Sequence, residues 1–343
     1  MEPRAAAGAC QTAELTLGAP PLTVPRSGGL AISIRILISD QNFGDGARVE
    51  RELVEAAGGE VVLAECRSED DVARALAEHR PDALLVQFAP VGRRALRAAD
   101  GLAAIVRYGV GVDNIDTDAA DAAGVAVGRV PDYCVDEVAD HTIALLLAVD
   151  RAIVTLADET RAGGWDYRRA GPVRRLRGLT LGLVGFGRIA RAVAERGRAL
   201  GLRLAASDPA VADEEVRAAG AEPLSLADLL PRADIVSLHV PLTPSTRGLL
   251  GERELALLPR GAVVLNTARG ELVDEDALAA ALAEGRLRGA GIDVLAVEPP
   301  PADHPLRRVR GVVLTPHAAW YSESAVLDLR RKAVETAFAL ARR

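Results

Sequence analysis

From residue 32 onward, short apolar runs bounded by turn residues alternate with stretches in which apolar positions recur every three or four residues. The runs at 34–39, 61–63, 83–86, 103–106 and 125–127 predict strands, and 47–57, 70–78, 93–98 and 117–122 predict the helices between them. Apolar character that is continuous rather than alternating means strands covered on both faces, and β–α alternation means a parallel sheet. A long helical stretch at 135–162 interrupts the alternation. It then resumes with strands at 180–184, 203–207, 235–239, 262–266, 289–293 and 312–314, and closes on a helix at 322–342. The expected fold class is α/β: two parallel-sheet units joined by one long helix, with no internal sequence repeat.

Composition narrows the classes of function. The 343 residues suffice for two domains, and 49% apolar content excludes disorder for most of the chain. Apolar runs no longer than that at 143–149 fall far short of the ~20 residues that a membrane-crossing helix needs. A net charge of −7 without a basic stretch argues against nucleic acid as a partner. Cys10, Cys66 and Cys134 are widely spaced and form no paired motif, so neither a disulfide framework nor a metal site is expected. Residues 1–31 show no period and lack the apolar core of a signal peptide. They read as a disordered extension, and the protein as cytoplasmic.

The most informative segment is LGLVGFGRIARAV at 181–193. Gly185, Phe186, Gly187, Arg188, Ile189 and Ala190 follow a predicted strand and open a helix, the context that a dinucleotide-binding loop requires. Gly185 permits the tight turn, Gly187 lets backbone approach a pyrophosphate, and Ala190 keeps helix close to sheet. The pyrophosphate would then sit on the helix N-terminus. The next strand ends at Asp208, 18 residues past Ala190, where an acid can accept from the ribose hydroxyls and repel a 2′-phosphate. NAD is therefore expected over NADP, although Arg188 lies close enough to hold such a phosphate.

Hydride transfer also needs a proton donor and a substrate anchor. Of five histidines, His79, His141 and His304 read as structural, from their places at a helix end, inside a helix and in a proline-rich loop. His239 and His317 each follow an apolar strand at its carboxyl end, the edge where open α/β sheets bind ligands. An imidazole at His317 can exchange a proton near neutral pH, and Glu298 would stabilise its charged form if the two pair. Arg269 also follows a strand, and its planar fork suits a carboxylate.

GFGRIA, DIVSLHVPLTPSTRGLL, GAVVLNTARGELVDEDAL, GAGIDVLAVEPP and TPHAAWYSE together resemble the D-isomer-specific 2-hydroxyacid dehydrogenase family. VRYGVGVDNIDTDAA and PDYCVDEVADHTIALLL extend the resemblance upstream, so that it covers about residues 34–342. HAAWYSE is similar to the C-terminal-binding-protein branch. The resemblance implies a catalytic set of Arg269, Glu298 and His317, with His317 the acid–base, Glu298 its partner and Arg269 the clamp on substrate. It implies NAD contacts at Gly185, Phe186, Gly187, Arg188, Ile189, Ala190, Asp208, His239, Val240, Pro241, Thr246, Thr267, Ala268, Arg269, Asp293 and His317. Substrate contacts would come from Arg107, Gly109, Val110, Arg269, His317 and Trp320.

The resemblance further implies two Rossmann-like or flavodoxin-like domains, with a substrate domain (32–130 and 320–343) split around an inserted NAD-binding domain (131–319), and a homodimer supported by the long helix. Val110 stands where a small polar residue is often found, and Ala190 replaces the third glycine. The leading expectation is NAD(H)-dependent reduction of a small 2-keto acid to the D-2-hydroxy acid, or the reverse. Competing readings are an NAD(H)-sensing regulatory protein like the corepressors of that branch, and formate or phosphite oxidation. Trp320 reads as a wall of the substrate pocket or as packing at the hinge between domains.

Overall fold

The computed structural model describes residues 34–342; the extension expected at 1–31, and Cys10 within it, lie outside the described residues. The first five strands are β1 (Arg35–Ile38), β2 (Glu60–Leu63), β3 (Ala83–Val86), β4 (Ala104–Arg107) and β5 (Ala126–Arg129). They form one parallel sheet in the order β2-β1-β3-β4-β5, with α1 (Arg48–Ala56), α2 (Glu69–His79), α3 (Arg93–Ala98) and α4 (Thr117–Ala122) between them. Successive residues face opposite layers. Ile36, Ile38, Leu85 and Val106 join one buried cluster, and Leu37, Leu84, Val86 and Ile105 the other. This two-sided burial is why the strands read as unbroken apolar runs.

After α5 (Val135–Asp150) and α6 (Ile153–Arg161) the chain builds a second parallel sheet. Its strands are β6 (Thr180–Val184), β7 (Arg203–Ser207), β8 (Glu222–Pro223), β9 (Ile235–Leu238), β10 (Val263–Asn266), β11 (Gly289–Ile292) and β12 (Val312–Leu314). Between them lie α7 (Arg188–Ala199), α8 (Asp213–Ala218), α9 (Leu226–Leu229), α10 (Glu252–Leu257) and α11 (Glu275–Ala283). The sheet order is β12-β11-β10-β9-β6-β7-β8. The chain runs outward from β6 to β8 and then returns to β9 on the other side. The crevice at the carboxyl ends of β6 and β9 is thus a topological switch point, where such Rossmann-like sheets bind ligands.

The last helix, α12 (Glu323–Ala341), returns to the first sheet and packs on β3, β4, β5 and α1. Ser322 caps it, accepting the Ala325 amide at 2.9 Å, and donates to Glu137 of α5 at 2.8 Å. Ala325, Leu329, Ala333 and Ala337 form its buried stripe. On the same helix, buried Arg330 bonds Glu50 of α1 from Nε at 2.8 Å and Asp45 from Nη1 at 2.9 Å. The Tyr108 hydroxyl donates to Glu50 at 3.0 Å. One ionic cluster therefore ties α12 and α1 to the residue that immediately precedes Gly109.

Two departures from the sequence reading have physical causes. The single helix expected at 135–162 is broken, with Ala152 in the left-handed region at φ 52°. Arg288 Nη2 donates to the Asp150 carbonyl at 2.6 Å, taking an acceptor that a continuing helix would give to the amide four residues on. The Asp150 carboxylate is buried against Arg174 and Arg288. Nothing local signals a break made by a residue so distant in sequence. The two-residue edge strand β8 is too short to show as an apolar run, and its Pro223 is tolerated because an edge need not donate on both sides.

Arg330→Met leaves Glu50 buried without its cation and is expected to cost about 3–5 kcal/mol. Urea unfolding followed by tryptophan fluorescence and circular dichroism measures this; a loss below about 1 kcal/mol, the range of a surface pair, would contradict it.

Candidate active site

The loop between β6 and α7 has the shape that a dinucleotide needs. Gly185 sits at φ 90°, and a Cβ there would collide with the His239 carbonyl, so glycine is required twice over. Gly187 has open space around it and caps α7, whose first-turn amides and dipole favour an anion. The Phe186 side chain is fully buried, with the Arg191 guanidinium 4.9 Å from its ring centre, so only its backbone belongs to the loop surface. Its amide donates to Asp208 Oδ2 at 2.8 Å, and the Ala210 amide to Oδ1 at 2.9 Å. These two amides fix the carboxylate at the end of β7.

Arg188 is exposed at the first helical position, Ile189 packs between two buried clusters, and Ala190 is fully buried against the sheet. Past β9, Thr246 Oγ1 donates to the Pro241 carbonyl at 2.7 Å and accepts the Thr243 amide at 2.8 Å, which shapes the loop that starts at Val240. Thr267 shares a 2.9 Å hydrogen bond with Thr142 of α5, and the Ala268 amide donates to Asn266 at 3.0 Å. Gly187, the α7 terminus and Asp208 thus offer an open cradle, an anion site and a ribose acceptor.

His317 follows β12 at φ 52°, a left-handed position that is strained for a residue with a side chain. Asp293, after β11, holds it there. Its carbonyl accepts the His317 amide at 2.8 Å, and its buried carboxylate accepts the Ala318 and Ala319 amides at 2.9 Å each and the Thr315 hydroxyl at 2.6 Å. His141 Nε2 lies 2.9 Å from the same hydroxyl. The carboxylate is therefore engaged by the turn that carries His317.

His317 Nδ1 donates to Glu298 Oε2 at 2.7 Å, which leaves Nε2 as the ring nitrogen for a substrate. Glu298 Oε1 accepts the Leu295 amide at 2.9 Å. Burial pushes the Glu298 carboxyl up, but the hydrogen bond and charge of His317, with the Leu295 amide and Arg269, hold it below the usual range. Glu275 supports the loop from behind by accepting the Ala296 amide at 2.8 Å, and His304 lies 3.0 Å from its other oxygen.

Arg269 comes off β10. Asn266 fixes its carbonyl at 2.8 Å, and the next residue, Gly270, packs so closely on the Leu295–Ala296 peptide that no Cβ would fit. Arg269 Nη1 donates to the Ala268 carbonyl at 2.7 Å, and Nε to Asp113, on the loop after β4, at 3.2 Å. Arg107, at the end of β4, donates from Nε to the Gln87 carbonyl at 3.2 Å. The two guanidiniums lie over Gly111 and Gly109 respectively, leaving no space for a Cβ at either. Burial, and then the charge of Arg269, work against the charge on Arg107. Together with Asn114, Glu298 and His317 these groups line a cleft of about 200 Å³ between the carboxyl edges of the two sheets.

Not every expected residue faces that cleft. Val110 packs against the first buried cluster. Trp320 is half-buried in the same cluster, 6.3 Å from Tyr133 and 5.9 Å from Tyr321 between ring centres, and it is not among the residues lining the cleft. His239 Nε2 lies 2.8 Å from the Ser237 hydroxyl, and burial pushes its imidazole down to about 4. Asp113, Gln87 and His141 were not anticipated as parts of the site. Asp113 carried a faint signal as the acid two residues past Gly111; His141 had none, since Thr315 is far off in sequence. Among the described residues, no group of three or more His, Cys, Asp or Glu side chains could hold a metal ion.

A switch-point crevice with a glycine loop and a fixed acid on the next strand defines a dinucleotide-binding α/β protein. Residues 143–319 match the NAD binding domain of the D-isomer specific 2-hydroxyacid dehydrogenases. The chain is 37% identical over 294 residues to D-3-phosphoglycerate dehydrogenase of Methanocaldococcus jannaschii, covering 85% of this chain and 54% of that one. It is 40% identical over 234 residues to glyoxylate reductase of Korarchaeum cryptofilum, covering 67% of this chain and 70% of that one. Among solved structures, D-lactate dehydrogenase of Aquifex aeolicus, complexed with NAD and lactic acid, superposes with a TM-score of 0.80 at 27% identity, over 90% of this chain and 95% of that one. The chain belongs to the D-isomer-specific 2-hydroxyacid dehydrogenase family, as its motifs suggested. It spans about half the length of the phosphoglycerate dehydrogenases it matches.

The depressed His239 imidazole makes a prediction about acid stability. An unfolded histidine binds its proton near pH 6.5, whereas the folded one waits until about 4, so the unfolded state takes up more protons in that window. The stability this contributes is complete above pH 6.5 and is lost as pH falls toward 4. His239→Asn is expected to lose less of its Tm between pH 7 and 4.5 than the parent in scanning calorimetry; parallel curves would contradict the assignment.

Proposed function

We propose that the chain is an NAD(H)-dependent D-2-hydroxyacid dehydrogenase that reduces a small 2-keto acid, or runs the reverse reaction. The observation that carries this reading is the 2.7 Å His317–Glu298 pair in one cleft with Arg269 and Arg107, at the carboxyl edge of the sheet that also carries the dinucleotide loop. Bound NADH supplies the hydride for the substrate's carbonyl carbon. Arg269, with Arg107 and the Gly109–Val110 backbone, holds the substrate carboxylate and orients the carbonyl toward His317. His317 Nε2 gives its proton to the carbonyl oxygen as charge develops there, and Glu298 stabilises the imidazolium until that moment. In oxidation the same nitrogen takes the hydroxyl proton.

On this reading residues 32–130 with 320–343 form the substrate domain and 131–319 the cofactor domain. Domain closure would exclude water from the cleft. Asp208 favours NADH, since a 2′-phosphate would meet its fixed carboxylate. A second copy of the chain is the proposed cover for Trp165 and Tyr167, 91% and 83% exposed just beyond α6, and for Ile153 and Val154 on α6 itself. No described helix is long and apolar enough to cross a membrane; the cytoplasm remains the proposed compartment.

A panel of glyoxylate, hydroxypyruvate, pyruvate and phenylpyruvate with NADH tests the reaction class. Reduction of at least one is expected, and His317→Ala should lower kcat by about 10²–10⁴ while NADH still binds. Glu298→Gln should move the high-pH limb of the reduction profile to lower pH, because the imidazolium loses its anionic partner. NADH binding without turnover of any keto acid would leave the NAD(H)-sensing reading instead. For the cofactor, Asp208→Ala should narrow the kcat/KM preference for NADH over NADPH; a parent enzyme that prefers NADPH would overturn this assignment.

A further inference from the structure

We infer that Asp113 is a positioning residue: it fastens Arg269 by Nε and counters the charge of two crowded guanidiniums, so that Arg269 presents its free Nη2 to the substrate. The inference rests on the reading of Arg269 as the carboxylate clamp. Nε lies 3.2 and 3.3 Å from the two Asp113 oxygens, and Nη1 is spent on the Ala268 carbonyl. Among the described residues no hydrogen bond uses Nη2, which lies over Gly111, and Arg269 itself lines the cleft. The guanidinium is thus held at two of its three nitrogens, and Nη2 is left free. Its advantage over a lysine lies in the orientation of that planar fork, which is lost once the group can swing.

A second observation concerns charge. Arg107 shares the cleft, and both its burial and the neighbouring Arg269 work against its charge, while Asp113 works in favour. An acid bonded to one guanidinium and favouring the charge of the other lets both stay charged in one cleft, leaving an excess of one positive charge among the three groups for a substrate carboxylate. A third observation concerns placement. Asp113 stands 156 positions before Arg269, on the loop after β4, so the contact crosses the cleft between the two sheets. The clamp is therefore fully fixed only when the loop of the first sheet sits against the second. The Asp113 side chain is 40% exposed, and such a pair contributes little to overall stability.

A different role, in which Asp113 stands in for the substrate carboxylate and is displaced by it, predicts the opposite sign. Oxamate, a carboxylate that resembles a 2-keto acid and is not reduced, separates the two when titrated into the enzyme–NADH complex by fluorescence. Asp113→Asn should weaken oxamate binding and lower kcat about tenfold or more each, as loss of a charge-assisted hydrogen bond does, while NADH affinity and Tm stay put. Asp113→Glu, which keeps the charge, should recover part of the loss. In an Arg269→Met background, Asp113→Asn should change oxamate affinity by less than about twofold, because its partner is already gone. Tighter or unchanged oxamate binding in Asp113→Asn overturns the inference, as does an undiminished effect in the Arg269→Met background. A parent protein that binds NADH but neither oxamate nor any keto acid overturns the reading of the cleft itself, and this inference with it. Normal parent turnover with an unaffected Asp113→Asn overturns the inference alone.

Discussion

Asp293 spends its buried carboxylate on the amides of Ala318 and Ala319 and on the Thr315 hydroxyl, and its carbonyl on the amide of His317. Four donors from one turn converge on a single residue, and they compensate for the left-handed backbone that His317 must adopt. Without that anchor the turn would relax toward an ordinary conformation, and the imidazole would leave Glu298. The constraint reaches outward as well. His141 contacts the same hydroxyl from α5, so the helix joining the two sheets also buttresses the turn. A charged carboxylate with several hydrogen bonds is strong enough to hold a strained residue, which a neutral side chain of that size would not be.

Parallel sheets deliver the remaining groups. In each sheet every strand ends on the same edge, so Arg107 of the first sheet and Asp208, His239, Arg269, Asp293 and His317 of the second all follow or end strands at a carboxyl edge, and Arg107, Arg269 and His317 line the cleft between the two. The consequence is electrostatic crowding in a small space: two guanidiniums, an imidazole and the three carboxylates of Asp113, Glu271 and Glu298 within one cleft. Arg269 and His317 each have a carboxylate at hydrogen-bonding distance, whereas among the described residues Arg107 has none, and its charge is disfavoured by burial and by Arg269. On the proposed function the substrate carboxylate is what completes that balance, so the binding energy of a small anion is concentrated where the chemistry occurs.

Much of this was legible in the sequence, and the limits follow from range. Strands such as 83–86 and 235–239 showed themselves because burial on both faces leaves a local signature. The glycine loop and Asp208 did so because a dinucleotide demands fixed spacing along one βαβ unit. Arg269, Glu298 and His317 were singled out through the strands they follow and the family resemblance, and the structure brings the three into one cleft. What stayed hidden depends on contacts across long separations. The break after Asp150 is made by Arg288, the engagement of Asp293 by residues past β12, and the tether on Arg269 by the other sheet. Trp320, open between two readings, lies with Tyr133 in the first buried cluster and outside the cleft lining.

The central claim is that this cleft joins a hydride from NADH and a proton from His317 to the two ends of one carbonyl, on the face that yields the D-isomer. Rapid mixing of the enzyme with NADH deuterated at the transferring position and a keto acid of the panel that it reduces, followed by mass and chiral analysis of the product, tests it directly. The expected product is the 2-hydroxy acid with one deuterium at C2, in the D configuration, with a slowed transfer step relative to unlabelled NADH. Product without the label, or of the L configuration, would contradict it.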